Sequence, residues 1–184
     1  LKKQQWKQTN NAVENNATEK KIIYLTFDDG PTEYTQALLD RLDKYDVKVT
    51  FFVTNQYPEY QDMIGEAHRR GHKIGLHSYS HNYNIYTSEK VFYEDLEMLN
   101  ALVKEQTKES AKIVRFPGGS SNCVSWNYSC GIMTSLTKEI EAHGYVYCDW
   151  NVDSLDSHGY LTAEEIARKA IEGIKKREIS IVLL

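Results

Sequence analysis

The stretch Leu25-Thr26-Phe27-Asp28-Asp29-Gly30-Pro31 ends an apolar run in two adjacent carboxylates and a turn. Upstream, Lys21–Phe27 is rich in β-branched and aromatic residues and reads as a strand; downstream, Thr32–Tyr45 has the spacing of an amphipathic helix. Two carboxylates held that close rarely serve packing alone. By itself Asp-Asp-Gly could still be an ordinary turn, because Asp and Gly favour turns for local backbone reasons.

Outward from this unit the same grammar repeats. Strands are expected at Val47–Thr54, Lys73–His77, Lys112–Phe116, Tyr145–Trp150 and Ile179–Leu184. Helices are expected at Tyr60–Arg70, Ser88–Thr107, Ile132–His143 and Thr162–Arg177, the last opened by the capping-box pattern Thr162-x-x-Glu165. Strict alternation predicts an α/β fold with a parallel sheet, open or closed into a barrel, and outer helices. The strands lack period-2 alternation, as expected where helices cover the sheet's outer face. Residues 1 to about 20, polar and without apolar period, read as a flexible leader or linker, leaving 21–184 as one domain.

Composition narrows the partners. A net charge of -4 without a basic block argues against nucleic acid. No stretch approaches the roughly 18 consecutive apolar residues of a spanning helix, and no signal peptide opens the chain. The first residue is Leu, which reads as an excised piece. Cys123 and Cys130 flank a short loop where a disulfide would be feasible in an oxidising compartment, and Cys148 reads as a small buried hydrophobe.

The chemistry collects at strand ends. Asp28 and Asp29 follow the first strand, His77-Ser78-Tyr79-Ser80-His81 the third, Arg115 and Pro117 a later one, and Asp149, Asp153 and Asp156 the next. C-terminal strand ends are where a parallel barrel gathers its catalytic loops. A His-x-x-x-His pair with a carboxylate offers a divalent cation two imidazoles and an oxygen. Zinc so held makes hydroxide available near neutral pH, but non-haem Fe(II) oxygenases use the same ligands. A second Asp beside the ligand suits hydrolysis, which needs a base. Singly, each piece has an ordinary reading: a hydrogen-bonded His pair, a turn, a surface cation, loop caps. Their joint order favours a site.

Thr26-Phe27-Asp28-Asp29-Gly30-Pro31, His77-Ser78-x-x-His81, Arg115-Phe116-Pro117-Gly118-Gly119-Ser120 and Trp150-Asn151-Val152-Asp153-Ser154 resemble the first four motifs of the polysaccharide deacetylases, carbohydrate esterase family 4. The resemblance runs from about Lys21 to the C-terminus. It implies a distorted or incomplete (β/α) barrel and metal-dependent removal of acetyl groups from a glycan. The third motif is most similar to secreted bacterial members acting on peptidoglycan N-acetylglucosamine. Chitooligosaccharide and acetylxylan are the alternative substrates, and the implied location is extracellular or cell-wall associated.

Carried over residue by residue, the resemblance makes Asp28 the general base and Asp29, His77 and His81 the ligands of Zn2+, with Co2+, Ni2+ or Mn2+ also compatible. Arg115 would pair with Asp28, the Gly118 N–H would donate to the oxyanion, and Pro117 and Trp150 would line the substrate groove. Asp153 would orient a histidine acid supplied by a fifth motif, Leu-x-His. The chain reads Ser180-Ile181-Val182-Leu183-Leu184 and stops there, and no other histidine fits. The resemblance therefore leads one to expect a C-terminally truncated domain lacking its last strand and helix. The competing expectation is a catalytically weak metal- or glycan-binding domain. A frequent family Trp after Asp156 is Ser157 here, so the groove is expected to differ in shape.

Overall fold

The computed structural model describes residues 21–184, so the leader expected at 1–20 lies outside the described residues. Its frame is a parallel sheet of seven strands: β1 (Ile22–Asp28), β2 (Thr50–Thr54), β3 (Lys73–Ser78), β4 (Ile113–Val114), β5 (Val146–Tyr147), β6 (Val152–Asp153) and β7 (Ile179–Leu183). Five helices accompany it: α1 (Thr35–Lys44), α2 (Asp62–Arg69), α3 (Glu89–Thr107), α4 (Ile132–Glu139) and α5 (Ala163–Lys175). The strand order is β5-β4-β3-β2-β1-β7-β6. Leu25 pairs with Val182 on one side of β1, and Phe27 with Phe51 on the other.

The sheet must curl. Its outermost strands, β5 and β6, are consecutive in the chain and joined only by residues 148–151. At roughly 3.5 Å per residue that link holds the two edges within about 20 Å. The result is a partial (β/α) barrel, as the sequence predicts. Here strict alternation fails, because the strand expected over Tyr145–Trp150 is confined to β5, and a further strand, β6, follows at Val152–Asp153 with no helix between them. Asn151 accounts for the extra strand. Its N–H donates to Ile181 O, its Nδ2 donates to Ile179 O, and its Oδ1 accepts from the Ile181 N–H, so backbone and side chain together redirect the chain onto β7.

Helices α1 to α4 close one continuous apolar core over β2, β3 and β4, in which Leu39, Leu76, Leu99, Val114 and Leu136 are fully buried. A separate small cluster of Val152, Ala170 and Val182 joins α5 to β6 and β7. The expectation that helices cover every strand is not met at β1, where Ile22, Ile23 and Tyr24 remain 44–54% exposed. The Thr162/Glu165 capping box forms as expected, and Ser88 caps α3 by accepting from the Val91 N–H.

Gly75 shows how tightly the barrel interior is filled. A Cβ there would lie 2.6 Å from the Phe52 ring, and that ring carries the guanidinium of Arg115 at 4.2 Å.

Candidate active site

The site begins with a backbone reversal. Asp28 ends β1, and Asp29 adopts φ +67°, a left-handed conformation uncommon outside Gly, Asn and Asp. Thr54 at the end of β2 fixes this turn: its N–H donates to Gly30 O at 2.7 Å and its Oγ1 donates to Asp29 O at 2.9 Å. The neighbouring carboxylates consequently have different company. Asp28 meets the barrel interior, and Asp29 meets the imidazoles.

Arg115, fully buried just beyond β4, holds the interior together. Its Nη1 donates to Asp28 Oδ1 at 2.9 Å and to Thr26 Oγ1 at 2.7 Å, its Nε to Cys148 O at 2.9 Å, and its Nη2 to Asp149 O at 3.3 Å. Thr26 Oγ1 passes the chain on by donating to Val182 O. One guanidinium thus ties β1, β4 and the β5–β6 link, and nearly every donor of a buried cation finds an acceptor. Burial pushes the Asp28 carboxyl up to about 7, against the attraction of Arg115, with the neighbouring charge of Asp29 adding to the rise.

Asp29 Oδ1 lies 3.0 Å from His81 Nε2 and 3.4 Å from His77 Nε2. These three ligand atoms all lie within 4.8 Å of one another. With metal–ligand bonds of about 2.0–2.1 Å, tetrahedral ligand atoms sit about 3.4 Å apart, so the donor set fits a small divalent cation. His77 is oriented for it: its Nδ1 lies 2.7 Å from Arg115 O. A carbonyl only accepts, so Nδ1 carries the proton and Nε2 presents its lone pair. Burial drives His77 down to about 4, despite the attraction of Asp29, which leaves it neutral near pH 7. For Asp29, burial works upward, but the hydrogen bond from His81 and the charges of both histidines prevail and hold it below the usual carboxylate range. The hydrogen bond to Asp29 in turn raises His81.

A cleft of about 270 Å³ opens over Asp28, Asp29 and His77, walled by Gly118, Trp150, Asp153, Asp156, Leu183 and Leu184. A second hollow of about 220 Å³ shares Gly118 and Trp150. Gly118 is exposed with φ +77°, and a Cβ there would lie 3.1 Å from Asn122 Cβ, so the backbone itself forms the wall. Trp150 is half-buried and lines the cleft. Asp153 is exposed on the wall, where its Oδ1 accepts from the Leu155 N–H.

Pro117, expected in the substrate groove, is buried. Its carbonyl accepts from Tyr86 Oη at 2.9 Å, and it does not line the cleft. The three cysteines are free, with Cys123 and Cys130 exposed. His68, His72, His143 and His158 are absent from the cleft wall. His72 lines a separate cavity of about 200 Å³ by Lys73, at the start of β3 and so the opposite end of that strand from His77.

Sequence reasoning passed over two residues that shape the site, Thr54 and Asp95, and placed a third, Asp149, at a strand end without giving it a role. Thr54 holds the Asp29 turn. Asp149 accepts from the Ser120 N–H at 3.0 Å and from Ser120 Oγ, pinning the loop after Gly118. Asp95 of α3 accepts from Ser78, Tyr79 and Ser80. For Asp95 a signal existed: it falls in register with the buried Phe92, Leu96 and Leu99, one acid within an apolar helical stripe.

This arrangement, two carboxylates of opposed environment beside an imidazole pair at C-terminal strand ends, agrees with comparison to known proteins. Residues 15–131 match the model of the polysaccharide deacetylase family. A peptidoglycan-N-acetylglucosamine deacetylase of Bacillus cereus is 32% identical over 142 residues, 77% of this chain and 49% of that protein. The crystal structure of the catalytic domain of peptidoglycan N-acetylglucosamine deacetylase from Eubacterium rectale superposes with a TM-score of 0.88 at 55% identity, covering 89% of this chain and 76% of that one. The polysaccharide deacetylase Bc1974 from Bacillus cereus gives a TM-score of 0.74 at 27% identity, covering 89% and 78%. The chain spans about half the length of the curated relatives it matches. On the family match, the barrel and the ordered motifs together, the chain belongs to the polysaccharide deacetylase family.

Proposed function

We propose that this chain is the catalytic part of a zinc-dependent deacetylase that hydrolyses the acetamide of N-acetylglucosamine in bacterial peptidoglycan, at the cell surface. The observation that carries the reading is Asp28, held at 2.9 Å by the fully buried Arg115 and standing next to the Asp29–His77–His81 triangle. The substrate is drawn from relatives named for it, the domain from Eubacterium rectale foremost.

Asp29, His77 and His81 would hold the cation, which supplies Lewis acidity and brings the acidity of water close to neutral pH. Cobalt, nickel or manganese suits the same donors. Asp28 takes the proton of the attacking water; Arg115 occupies its Oδ1 and leaves Oδ2 for that task. A carboxyl near 7 suits the role, because a base works best with a pKa near the working pH. Water adds to the acetamide carbonyl, and the Gly118 N–H donates to the oxygen that becomes negative. The C–N bond then breaks, acetate leaves, and the amine gains a proton from an acid that Asp153 would orient. Trp150 presents a flat apolar wall to the sugar ring.

The test is acetate release from peptidoglycan and from acetylated chitooligosaccharide, with this chain and a C-terminally extended one in parallel. Release that stops with a chelator, returns with zinc and persists without oxygen is expected. Failure of both zinc-loaded chains to release acetate would reject the enzyme reading. Activity that survives complete removal of metal would reject the metal site.

A further inference from the structure

We propose that Asp95 is a positioning residue that aims His81 at the cation, an inference that rests on the metal-site reading above. A carboxylate in an apolar helical stripe is costly unless its oxygens are satisfied. Those of Asp95 are satisfied by one short segment alone, the residues between the two histidines. Oδ2 accepts from Ser78 Oγ at 2.8 Å and from the Tyr79 N–H at 2.7 Å. Oδ1 accepts from the Ser80 N–H at 3.0 Å and from Ser80 Oγ at 2.7 Å. Ser78 Oγ then accepts from the His81 N–H at 2.9 Å, completing a path from helix α3 to the second histidine.

The two histidines need different support. His77 belongs to β3, and the Arg115 carbonyl fixes its ring. His81 lies beyond the strand end, with φ +50°, a conformation disfavoured for any residue with a Cβ. Something outside the loop must keep it there. Four hydrogen bonds to a charged acceptor on a 19-residue helix provide that restraint, and with it the 3.0 Å approach of His81 Nε2 to Asp29. A carboxylate suits the place because all four groups facing it donate. Asparagine would turn its own N–H donors towards some of them.

The inference is tested by zinc affinity, read by competition with a chromophoric chelator well below the unfolding midpoint, beside the thermal midpoint of the zinc-free protein. Asp95→Asn is expected to weaken zinc binding about 10- to 100-fold in protein that is still folded. A merely structural Asp95 would lower the thermal midpoint and leave the zinc Kd of the folded protein where it was, and that result would overturn the proposal. Should Asp95→Asn fail to fold, Ser78→Ala cuts the same path at its last step and carries the same expectation. A wild-type chain that binds no zinc would sink the metal-site reading and this inference with it. Tight wild-type binding beside unweakened variants would sink only the role of Asp95.

Discussion

Two regions one residue apart behave in opposite ways. Asp28 reaches the cleft with its back to the barrel interior, where Arg115 is fully buried, stacked over Phe52 and bonded to four acceptors. Around Asp29 the rim faces the cleft, and the carboxylate meets two ring nitrogens that could share a cation. The difference shows that identical side chains acquire different chemistry from their surroundings. Burial lifts one carboxyl to about 7, while the histidines outweigh burial at its neighbour. The left-handed turn at Asp29 is what separates them.

The comparison can be broken from either side. His77→Ala should empty the rim, and elemental analysis should find zinc lost while the interior network and the fold persist; unchanged zinc content would refute the ligand set. Asp28→Asn should do the reverse, cutting deacetylation by about 10²–10⁴-fold with zinc retained, and near-normal turnover would reject Asp28 as the base. Arg115→Met strands Asp28 and Thr26 in the interior, and should cost about 3–5 kcal/mol of stability in denaturant titration. A loss below 1 kcal/mol would mean the network is ornamental.

A finer probe is Gly75→Ala. It pushes the Phe52 ring against Arg115 and should cost about 1–3 kcal/mol through overpacking, measured by the same titration. The smallest effect is one of pH. The carboxyl of Asp28 is raised, so its ionised, proton-accepting fraction is about half at pH 7, fills as the pH rises beyond that and falls as the pH drops below it. In chelator-treated protein the Asp28 carboxyl carbon should titrate near 7 by NMR. Adding zinc should move that midpoint downward, since a nearby cation favours the anion. A midpoint near 4 without metal would show that the interior is wetter than the structure implies.

Much of this was legible beforehand because it rests on local chemistry. β-branched runs, amphipathic spacing and the Thr162/Glu165 box announce strands, helices and a cap wherever the chain goes. Asp28, Asp29, His77, His81 and Arg115 could be placed at strand ends for the same reason. What escaped depended on distant partners. Pro117 reads as a groove residue, but its burial and the bond from Tyr86 to its carbonyl come from a segment 31 residues away. The strand β6, beyond the one expected over Tyr145–Trp150, exists because Asn151 pairs with β7, some thirty residues away in sequence. Thr54, Asp95 and Asp149 carry no motif, and their roles exist only where the fold sets them beside the turns they brace.

By itself, then, the chain determines its alternating elements and the order in which its reactive residues reach the strand ends, since helical and strand periods and turn chemistry act over a few residues. Only the tertiary structure decides which aspartate faces a buried guanidinium and which faces the imidazoles. That choice comes from the curl of the sheet, the φ of Asp29 and the acceptors around Arg115. Together they depend on contacts between β1, β2, β4 and the β5–β6 link, segments far apart in the sequence and brought together by folding.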